Sequence, residues 1–185
     1  RSTPLYSSAA SDVYKRQILD LGGSLVPSIN RFLDTQEVRL SGDKFWEQWR
    51  ARQRIEQYQD TIMSLGHSGY LATVRRALVY TLHLNGIEPM DELVSKLMSA
   101  WRELSPFPEV LPALKKLANQ YKLVVLSNGD SEFLDYLTEN RVSHAFDYVF
   151  SVDTVGAFKP HPGVYLRAAS VLAKSTSPCA SSTTP

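Results

Sequence analysis

Apolar residues recur along the middle of the chain with two different periods, and the change of period divides that part in two. Between residues 36 and 104 they return every three or four positions, which predicts helices. Between residues 105 and 173 short apolar runs alternate with amphipathic stretches, which predicts alternating strands and helices. The chain therefore combines a helical block, residues 36–104, with an α/β part.

Three helices are predicted in the helical block. The first begins at Ser41-Gly-Asp43, which is typical of a helix start, and ends where Gly66 to Gly69 interrupts the pattern. The second ends near Gly86, and the third ends at Pro106 and Pro108. The apolar faces are predicted to be Phe45, Trp49, Ile55, Tyr58 and Ile62 for the first helix, Leu71, Val74, Leu78, Thr81 and Leu82 for the second, and Leu93, Leu97, Trp101 and Leu104 for the third.

The α/β part is predicted to begin with a short strand, Ile18–Leu19, that ends at Asp20, and Gly22 and Gly23 then predict a turn. Further strands are predicted at residues 122–126, as a buried β-branched run, and at 148–152, with helices starting near 110, 133 and 164. Such alternation predicts a parallel sheet with helices on both faces. The fold class is therefore α/β, with a core of residues 18–35 and 105–173 and the helical block as an inserted cap.

The two ends of the chain follow neither period. Residues 1–17 are rich in Ser and Ala, and residues 174–185 form a Ser/Thr/Pro/Ala tail, so both are expected to be unstructured. They fit naturally disordered ends. They also fit sequence foreign to the gene on a truncated fragment, which we favour because a later part of the core is missing.

Composition narrows the function classes. The net charge is +1 with no long run of one sign, so neither nucleic acid nor an acidic membrane is expected as a partner. No apolar run approaches 18 residues, which predicts no transmembrane helix, and residues 1–17 lack the apolar centre of a secretory signal. The single cysteine, Cys179, excludes an internal disulfide framework and fits a reducing cytoplasm, where we expect the protein.

The four histidines of the chain share no metal-ligand spacing. We expect them to be surface or loop residues; they are His67, His83, His144 and His161.

Chemically capable residues follow three predicted elements of the sheet. Asp20 follows the first strand, Ser127-Asn128 follows the second, and Lys159 lies in the loop after the third. Because ligands of open parallel sheets bind at the carboxyl ends of the strands, we expect these residues to meet at one edge. A carboxylate there can attack an electrophilic carbon or phosphorus, and the hydroxyl, amide and ammonium groups suit an anion.

Each residue also has an ordinary structural interpretation. Asp20 fits a turn cap, Ser127-Asn128 fits a helix N-cap, and Lys159 fits a solvated loop lysine. Only their combination favours an active site.

In their order along the chain, the three motifs resemble those of the haloacid dehalogenase (HAD) superfamily. The matching segments are Asp20-Leu-Gly-Gly-Ser24-Leu25, Ser127-Asn-Gly129 and Lys159-Pro160, and the resemblance covers about residues 18–173. It is strongest to the L-2-haloacid dehalogenase (type II) branch. The phosphatase branch has a second Asp where this chain has Gly22, as general acid for the leaving group. A halide leaves without a proton, so dehalogenation tolerates that loss. The dehalogenase branch usually has an aromatic residue there, so Gly22 is a departure.

The resemblance implies a role for each site residue. Asp20 would displace halide from a short 2-haloacid and form an ester that water then hydrolyses to the 2-hydroxy acid. Trp49-Arg50 followed by Gln53 is similar to a segment of dehalogenase caps. The resemblance implies that Arg50 and Asn128 together surround the departing halide. The residues that would hold the substrate carboxylate or orient Asp20 are Ser24, Ser127 and Lys159, and Tyr165 falls where the dehalogenase pattern places a substrate-binding tyrosine.

Two of these residues have alternatives. Arg50 also fits a surface arginine on an amphipathic helix, and Tyr165 also fits core packing on the last helix. The resemblance implies no metal or organic cofactor, and it suggests a homodimer.

Two other functions remain open on the sequence. One is a magnesium-dependent phosphatase of the same fold, and the other is a non-catalytic fragment or binding module. The family's fourth motif, which positions the hydrolytic water, has no counterpart, because no Asp or Glu follows Asp153. We therefore expect the C-terminal part of the core to be missing, and the chain to be poorly stable and to stall once the ester has formed.

Overall fold

A computed structural model describes residues 18–36, 38–63 and 66–176, with side chains as far as residue 173. The helices are α1 (Leu21–Thr35), α2 (Gly42–Ile62), α3 (Tyr70–Leu84), α4 (Asp91–Ser99), α5 (Val110–Ala118), α6 (Ser131–Leu137) and α7 (Pro162–Thr176). The strands are β1 (Leu19–Asp20), β2 (Ser105–Pro106), β3 (Val124–Ser127) and β4 (Tyr148–Ser151), and shorter helical turns span Ala100–Glu103, Thr138–Val142 and Val152–Thr154. Among these helices, none is both long enough and apolar enough to cross a bilayer.

Strands β3 and β4 confirm the predicted α/β class. They pair in parallel, from Val124 opposite Tyr148 to Ser127 opposite Ser151, and α6 lies in the connection between them. A parallel pair needs such a crossover, which is why strand and helix alternate in the sequence.

The predicted single parallel sheet is not what the described residues form. β1 pairs antiparallel with β2, where Asp20 lies opposite Ser105, and this pair is separate from β3–β4. β3 is also not the buried strand that its apolar run predicted, because Val124 is exposed and the rest of the strand only half-buried. Within the described residues β3 is hydrogen-bonded to a strand on one side only, so its edge is incompletely covered.

The turn predicted at Gly22 and Gly23 is wrong, because α1 begins at Leu21 and runs through both glycines. The Asp20 carboxylate accepts a hydrogen bond from the N–H of Gly23 at 2.9 Å, which makes Asp20 the N-cap of the helix. This cap and a buried apolar face outweigh the weak helix propensity of glycine. That face consists of Leu25, Ile29, Phe32 and Leu33.

The helical block has the predicted helices, but the predicted apolar face of α2 is only half right. Phe45 and Trp49 are buried, whereas Tyr58 is exposed and Ile55 and Ile62 are 46% and 80% exposed. The buried positions of the second half of α2 are instead polar; they are Gln53, Glu56, Gln57 and Asp60.

The polar face of α2 is explained by an arginine on α3. Arg76 Nε lies 2.8 Å from Glu56 Oε2, and its Nη2 lies 3.5 Å from Asp60 Oδ1. Arg52 pairs with the other oxygen of Glu56 at 2.6 Å. Buried carboxylates are tolerated when they are paired, and sequence periodicity cannot show where a partner on another helix will lie.

An aromatic cluster forms the core beneath these helices. Trp49 and Trp101 lie edge to face with ring centroids 5.9 Å apart, and Trp46 and Tyr70 pack against the same Trp101 ring. The indole N–H of Trp49 donates to the Val74 carbonyl at 2.9 Å, so this buried donor is satisfied.

The ends of the chain are only partly tested. α7 continues to Thr176, so it includes the first three residues of the segment 174–185 that the sequence predicts to be unstructured. The predicted disorder of residues 1–17 and 177–185, and the single cysteine, lie outside the described residues. The division into core and cap stays a prediction.

Candidate active site

Asp20 lies at the start of α1 with its carboxylate held against the first helical turn. Besides the hydrogen bond from Gly23 N–H, its position depends on the missing side chain of Gly23: a Cβ there would lie 2.8 Å from Asp20 Cγ, and closer still to Oδ2. The sequence fits Asp20 both as a turn cap and as a nucleophile, and the structure shows it as the N-cap of α1. A carboxylate that caps a helix is held in one place by the amide it accepts from, and a nucleophile also requires a fixed position.

Gly22 leaves a space that Trp46 of α2 faces. A Cβ at residue 22 would be 3.5 Å from Trp46 Nε1 and 3.9 Å from Asp20 Oδ1, so the indole edge and the carboxylate border the same small volume. The dehalogenase branch usually has an aromatic residue where this chain has Gly22, and here the ring of Trp46 from α2 lies beside that position. Because residue 22 is glycine, that position itself offers no acid to protonate a leaving group.

Ser24 fastens the start of α1 to the neighbouring strand. Its hydroxyl accepts a hydrogen bond from the N–H of Ser105 at 2.9 Å, across the β1–β2 pair. This contact holds the helical turn that carries Asp20. This contact favours a role for Ser24 in orienting Asp20 over a role in binding the substrate.

Asn128 and Lys159 meet as the sequence predicted. Asn128 Oδ1 accepts the backbone N–H of Lys159 at 2.8 Å, and Lys159 Nζ donates to the Leu126 carbonyl at 2.6 Å. Lys159 is therefore not a solvated loop lysine, and burial lowers the pKa of its ammonium group. Ser127 Oγ accepts from Gly129 N–H at 3.1 Å, which shapes the loop after β3.

The loop after β3 also contacts the helix that carries Arg50. Asn128 Nδ2 donates to Gln57 Oε1 at 3.3 Å. Arg50 on the same helix is half-buried, and its Nη1 donates to Gln53 Oε1 at 2.6 Å. Arg50 is thus not a free surface arginine. No sequence pattern pointed to Gln57, because its partner Asn128 lies 71 residues away.

Other predicted residues are not joined to this network. No hydrogen bond between described residues connects Asp20 with Ser127, Asn128 or Lys159, so their meeting at one edge stays a prediction. Tyr165 on α7 is 42% exposed, which excludes the core-packing interpretation without bringing it to the site.

A second polar cluster lies where the segment before α3 contacts the core, and the sequence did not predict it. One ligand atom from each of His67, Asp130 and Asp153 lies within 4.8 Å of the others, an arrangement able to hold a metal ion. His67 is a loop residue, as expected, but its side chain is only 7% exposed and its ring lies 4.2 Å from that of Phe158. Spacing along the chain could not reveal this group, because its members come from three distant segments.

The carboxylates of this cluster are already occupied by protein donors. Asp130 accepts the N–H groups of Tyr70 and Leu71, at 2.6 and 2.9 Å. Burial tends to raise the pKa of Asp153, but hydrogen bonds from the N–H and hydroxyl of Ser131 outweigh it, and the pKa is lowered. A structural contact between segments accounts for the cluster without a metal.

Comparison with known proteins places this geometry in a family. The family model for a haloacid dehalogenase-like hydrolase matches residues 14–180. The chain belongs to this haloacid dehalogenase-like family. Its fold agrees, since the solved L-2-haloacid dehalogenase from Xanthobacter autotrophicus superposes with a TM-score of 0.75 at 28% identity, over 86% of this chain and 62% of that one.

Relatives in the haloacid dehalogenase-like family carry more specific names. An (S)-2-haloacid dehalogenase from Xanthobacter autotrophicus is 33% identical over 71% of this chain and 51% of its own length. (S)-2-haloacid dehalogenase 4A from Burkholderia cepacia is 28% identical over 83% of this chain and 68% of its own. A second structure of the Xanthobacter enzyme, with a TM-score of 0.75 at 28% identity over 86% of this chain and 62% of that one, has chloropropionic acid covalently bound. The chain spans about half the length of the first of these relatives.

Proposed function

We propose that the protein of which this chain is a part or the whole hydrolyses short 2-haloacids to 2-hydroxy acids through an ester on Asp20. The observation that carries the proposal is the network from Lys159 through Asn128 and Gln57 to the helix that bears Arg50. Its side chains supply hydrogen-bond donors and positive charge and include no carboxylate, which suits an anionic substrate and an anionic leaving group. The names of the relatives and the covalently bound structure support it.

The first chemical step needs no proton transfer. An electron pair of the Asp20 carboxylate forms a C–O bond to C2 of the substrate as the carbon–halogen bond breaks, and the halide leaves with the bonding pair. Backside attack requires the halide to depart on the side of C2 away from Asp20. Arg50 and Asn128 would receive it, and their positive charge and N–H dipoles would stabilise the charge that develops there.

The second step consumes water. Attack of water on the Asp20 ester carbonyl would release the 2-hydroxy acid and one proton and restore the carboxylate. The ammonium group of Lys159, with Ser127, would hold the substrate carboxylate, while Ser24 and Gly23 keep Asp20 in position. A buried ammonium is a strong partner for a carboxylate, because little water competes for either charge.

The proposal is tested by mass spectrometry of the peptide that contains Asp20 after incubation with L-2-chloropropionate. The expected result is a mass gain equal to the acid without its halogen, together with chloride release. The matched control is Asp20→Asn, which keeps an oxygen to accept from Gly23 N–H and should form no ester. Chloride release that persists in Asp20→Asn would contradict the role of Asp20, and magnesium-dependent hydrolysis of p-nitrophenyl phosphate without chloride release would favour the phosphatase instead.

The homodimer that the resemblance suggests is also a proposal. Ile55 and Ile62, which are 46% and 80% exposed and seven positions apart on α2, are apolar side chains that a second copy of the chain would cover. Light scattering of the unaltered protein and of Ile62→Lys would test it.

A further inference from the structure

Helix α2 and the loop after β3, which touch at Gln57 and Asn128, carry four side chains rich in hydrogen-bond donors: Arg50, Gln53, Gln57 and Asn128. Two hydrogen bonds join them in pairs, from Arg50 to Gln53 and from Asn128 to Gln57. Gln53 and Gln57 are one helical turn apart on α2, so the two pairs are neighbours on the same face. In both pairs the glutamine contributes its oxygen, so the only acceptors of the two glutamine side chains are used within the cluster.

The orientation of both glutamine amides is fixed by their partners. Arg50 can only donate, so it must face the oxygen of Gln53. Asn128 Oδ1 accepts the backbone N–H of Lys159, which turns its Nδ2 group toward Gln57. Exchanging oxygen and nitrogen in either glutamine would therefore set donor against donor.

The Nε2 groups of Gln53 and Gln57 are consequently donors, and both are buried with no acceptor among the described residues. The residues are only 1% and 8% exposed. Buried donors are almost always paired, because leaving one without a partner is costly. The two buried carboxylates of α2 are already paired with arginines, Glu56 with Arg52 and Arg76, and Asp60 with Arg76. A group that completes this cluster must accept hydrogen bonds and complement a positive charge.

We propose that the side-chain amides of Gln53 and Gln57 bind the departing halide together with Arg50 and Asn128. The inference rests on the proposed function and extends its leaving-group site by two residues. A halide only accepts hydrogen bonds and has no preferred direction, so a cluster of donors without a free acceptor suits it. The oxygens of the same glutamines hold Arg50 and Asn128 in place, so each glutamine both binds the ion and orients another ligand of it.

The test compares the same substitution at three glutamines of α2. Gln53→Met and Gln57→Met keep the size of the side chain and remove the donors, and Gln59→Met is the matched control because Gln59 is exposed. For each protein, ester formation on Asp20 is followed with L-2-chloropropionate under increasing bromide or propionate. We expect the bromide concentration for half inhibition to rise roughly tenfold for each buried substitution, the effect of losing one hydrogen bond to an ion, with propionate inhibition unchanged.

A second pair of variants covers a failure of the first pair to fold. Gln53→Glu and Gln57→Glu keep an oxygen for Arg50 or Asn128 but replace the donor with negative charge, so they should abolish bromide inhibition. Thermal unfolding of every variant shows which ones are folded.

The other results are each decisive. Unchanged bromide inhibition in folded variants would overturn the inference, because it would show that the amides of Gln53 and Gln57 do not bind the halide. Weakened propionate inhibition with unchanged bromide inhibition would also overturn it, since the cluster would hold the carboxylate. If the unaltered protein forms no ester, the proposed function fails and this inference fails with it, whereas ester formation with unchanged bromide inhibition refutes this inference alone.

Discussion

The carboxylate of Asp130 caps the helix that begins at Tyr70, although the two residues are 60 positions apart. Oδ1 accepts the N–H of Tyr70 at 2.6 Å and Oδ2 that of Leu71 at 2.9 Å. The residue before the helix, Gly69, has no side chain to serve as a cap. The loop after β3 therefore satisfies the first amides of α3, and it also contacts α2 through Asn128.

Replacing Asp130 with Ala should destabilise the protein by about 1–2 kcal/mol, because it removes a charged N-cap and leaves two helix N–H groups without their acceptor. Denaturant unfolding measures the change. Asp135→Ala on the exposed side of α6 is the control and should change the free energy of unfolding by no more than about 0.5 kcal/mol. Equal effects of the two substitutions would show that Asp130 does not act as a cap.

Alanine at the two glycines after Asp20 should have opposite consequences. Gly22→Ala meets only ordinary contacts and removes a flexible residue from a helix, so it should stabilise α1 by about 0.5–1 kcal/mol. Gly23→Ala places a methyl group against the Asp20 carboxylate and must displace it. We expect ester formation to fall at least roughly tenfold, as it does when reacting groups are misplaced. Equal rates in the two variants would mean that the carboxylate moves without cost.

The burial of Lys159 should make stability rise at high pH. Its pKa is lowered in the native protein, so between that lowered pKa and the ordinary lysine value of about 10.4 the unfolded chain binds more protons. The free energy of unfolding therefore increases with pH across this window. In Lys159→Met this contribution is absent. Denaturant unfolding from neutral pH upward should therefore show the free energy of unfolding of the unaltered protein rising relative to that of Lys159→Met. A difference that is constant with pH would contradict a buried ammonium.

Asp153 should contribute to stability at neutral pH and lose that contribution in acid. Its pKa is lowered, so its stabilising effect is complete above the ordinary Asp value of about 3.9 and is lost as the pH falls through the lowered pKa. Asp153→Asn should flatten the dependence of unfolding on pH below about 4, whereas the same change at the exposed Asp34 of α1 should not. His67, 3.5 Å from Asp153, adds to the effect when it is protonated.

Those parts of the structure that depend on local periodicity and on chemically distinctive residues could be predicted before any tertiary contact was known. Apolar spacing predicted the helices of residues 36–104 and the parallel pair β3–β4. The rule that ligands bind at the carboxyl ends of parallel strands predicted that Asn128 and Lys159 lie close together. The order of the three motifs also pointed to the family that the comparisons then showed.

Tertiary structure alone decided which faces are buried and which polar groups meet. The exposure of Ile62 on α2 depends on Arg76, which lies on another helix and pairs with the carboxylates that take the inner face. Helix α1 passes through Gly22 and Gly23 because Asp20 caps it and its apolar face finds a core, whereas glycine pairs alone favour a turn. Contacts such as Asn128 with Gln57 join residues far apart in the chain, so their partners are set by packing and leave no periodic trace in the sequence.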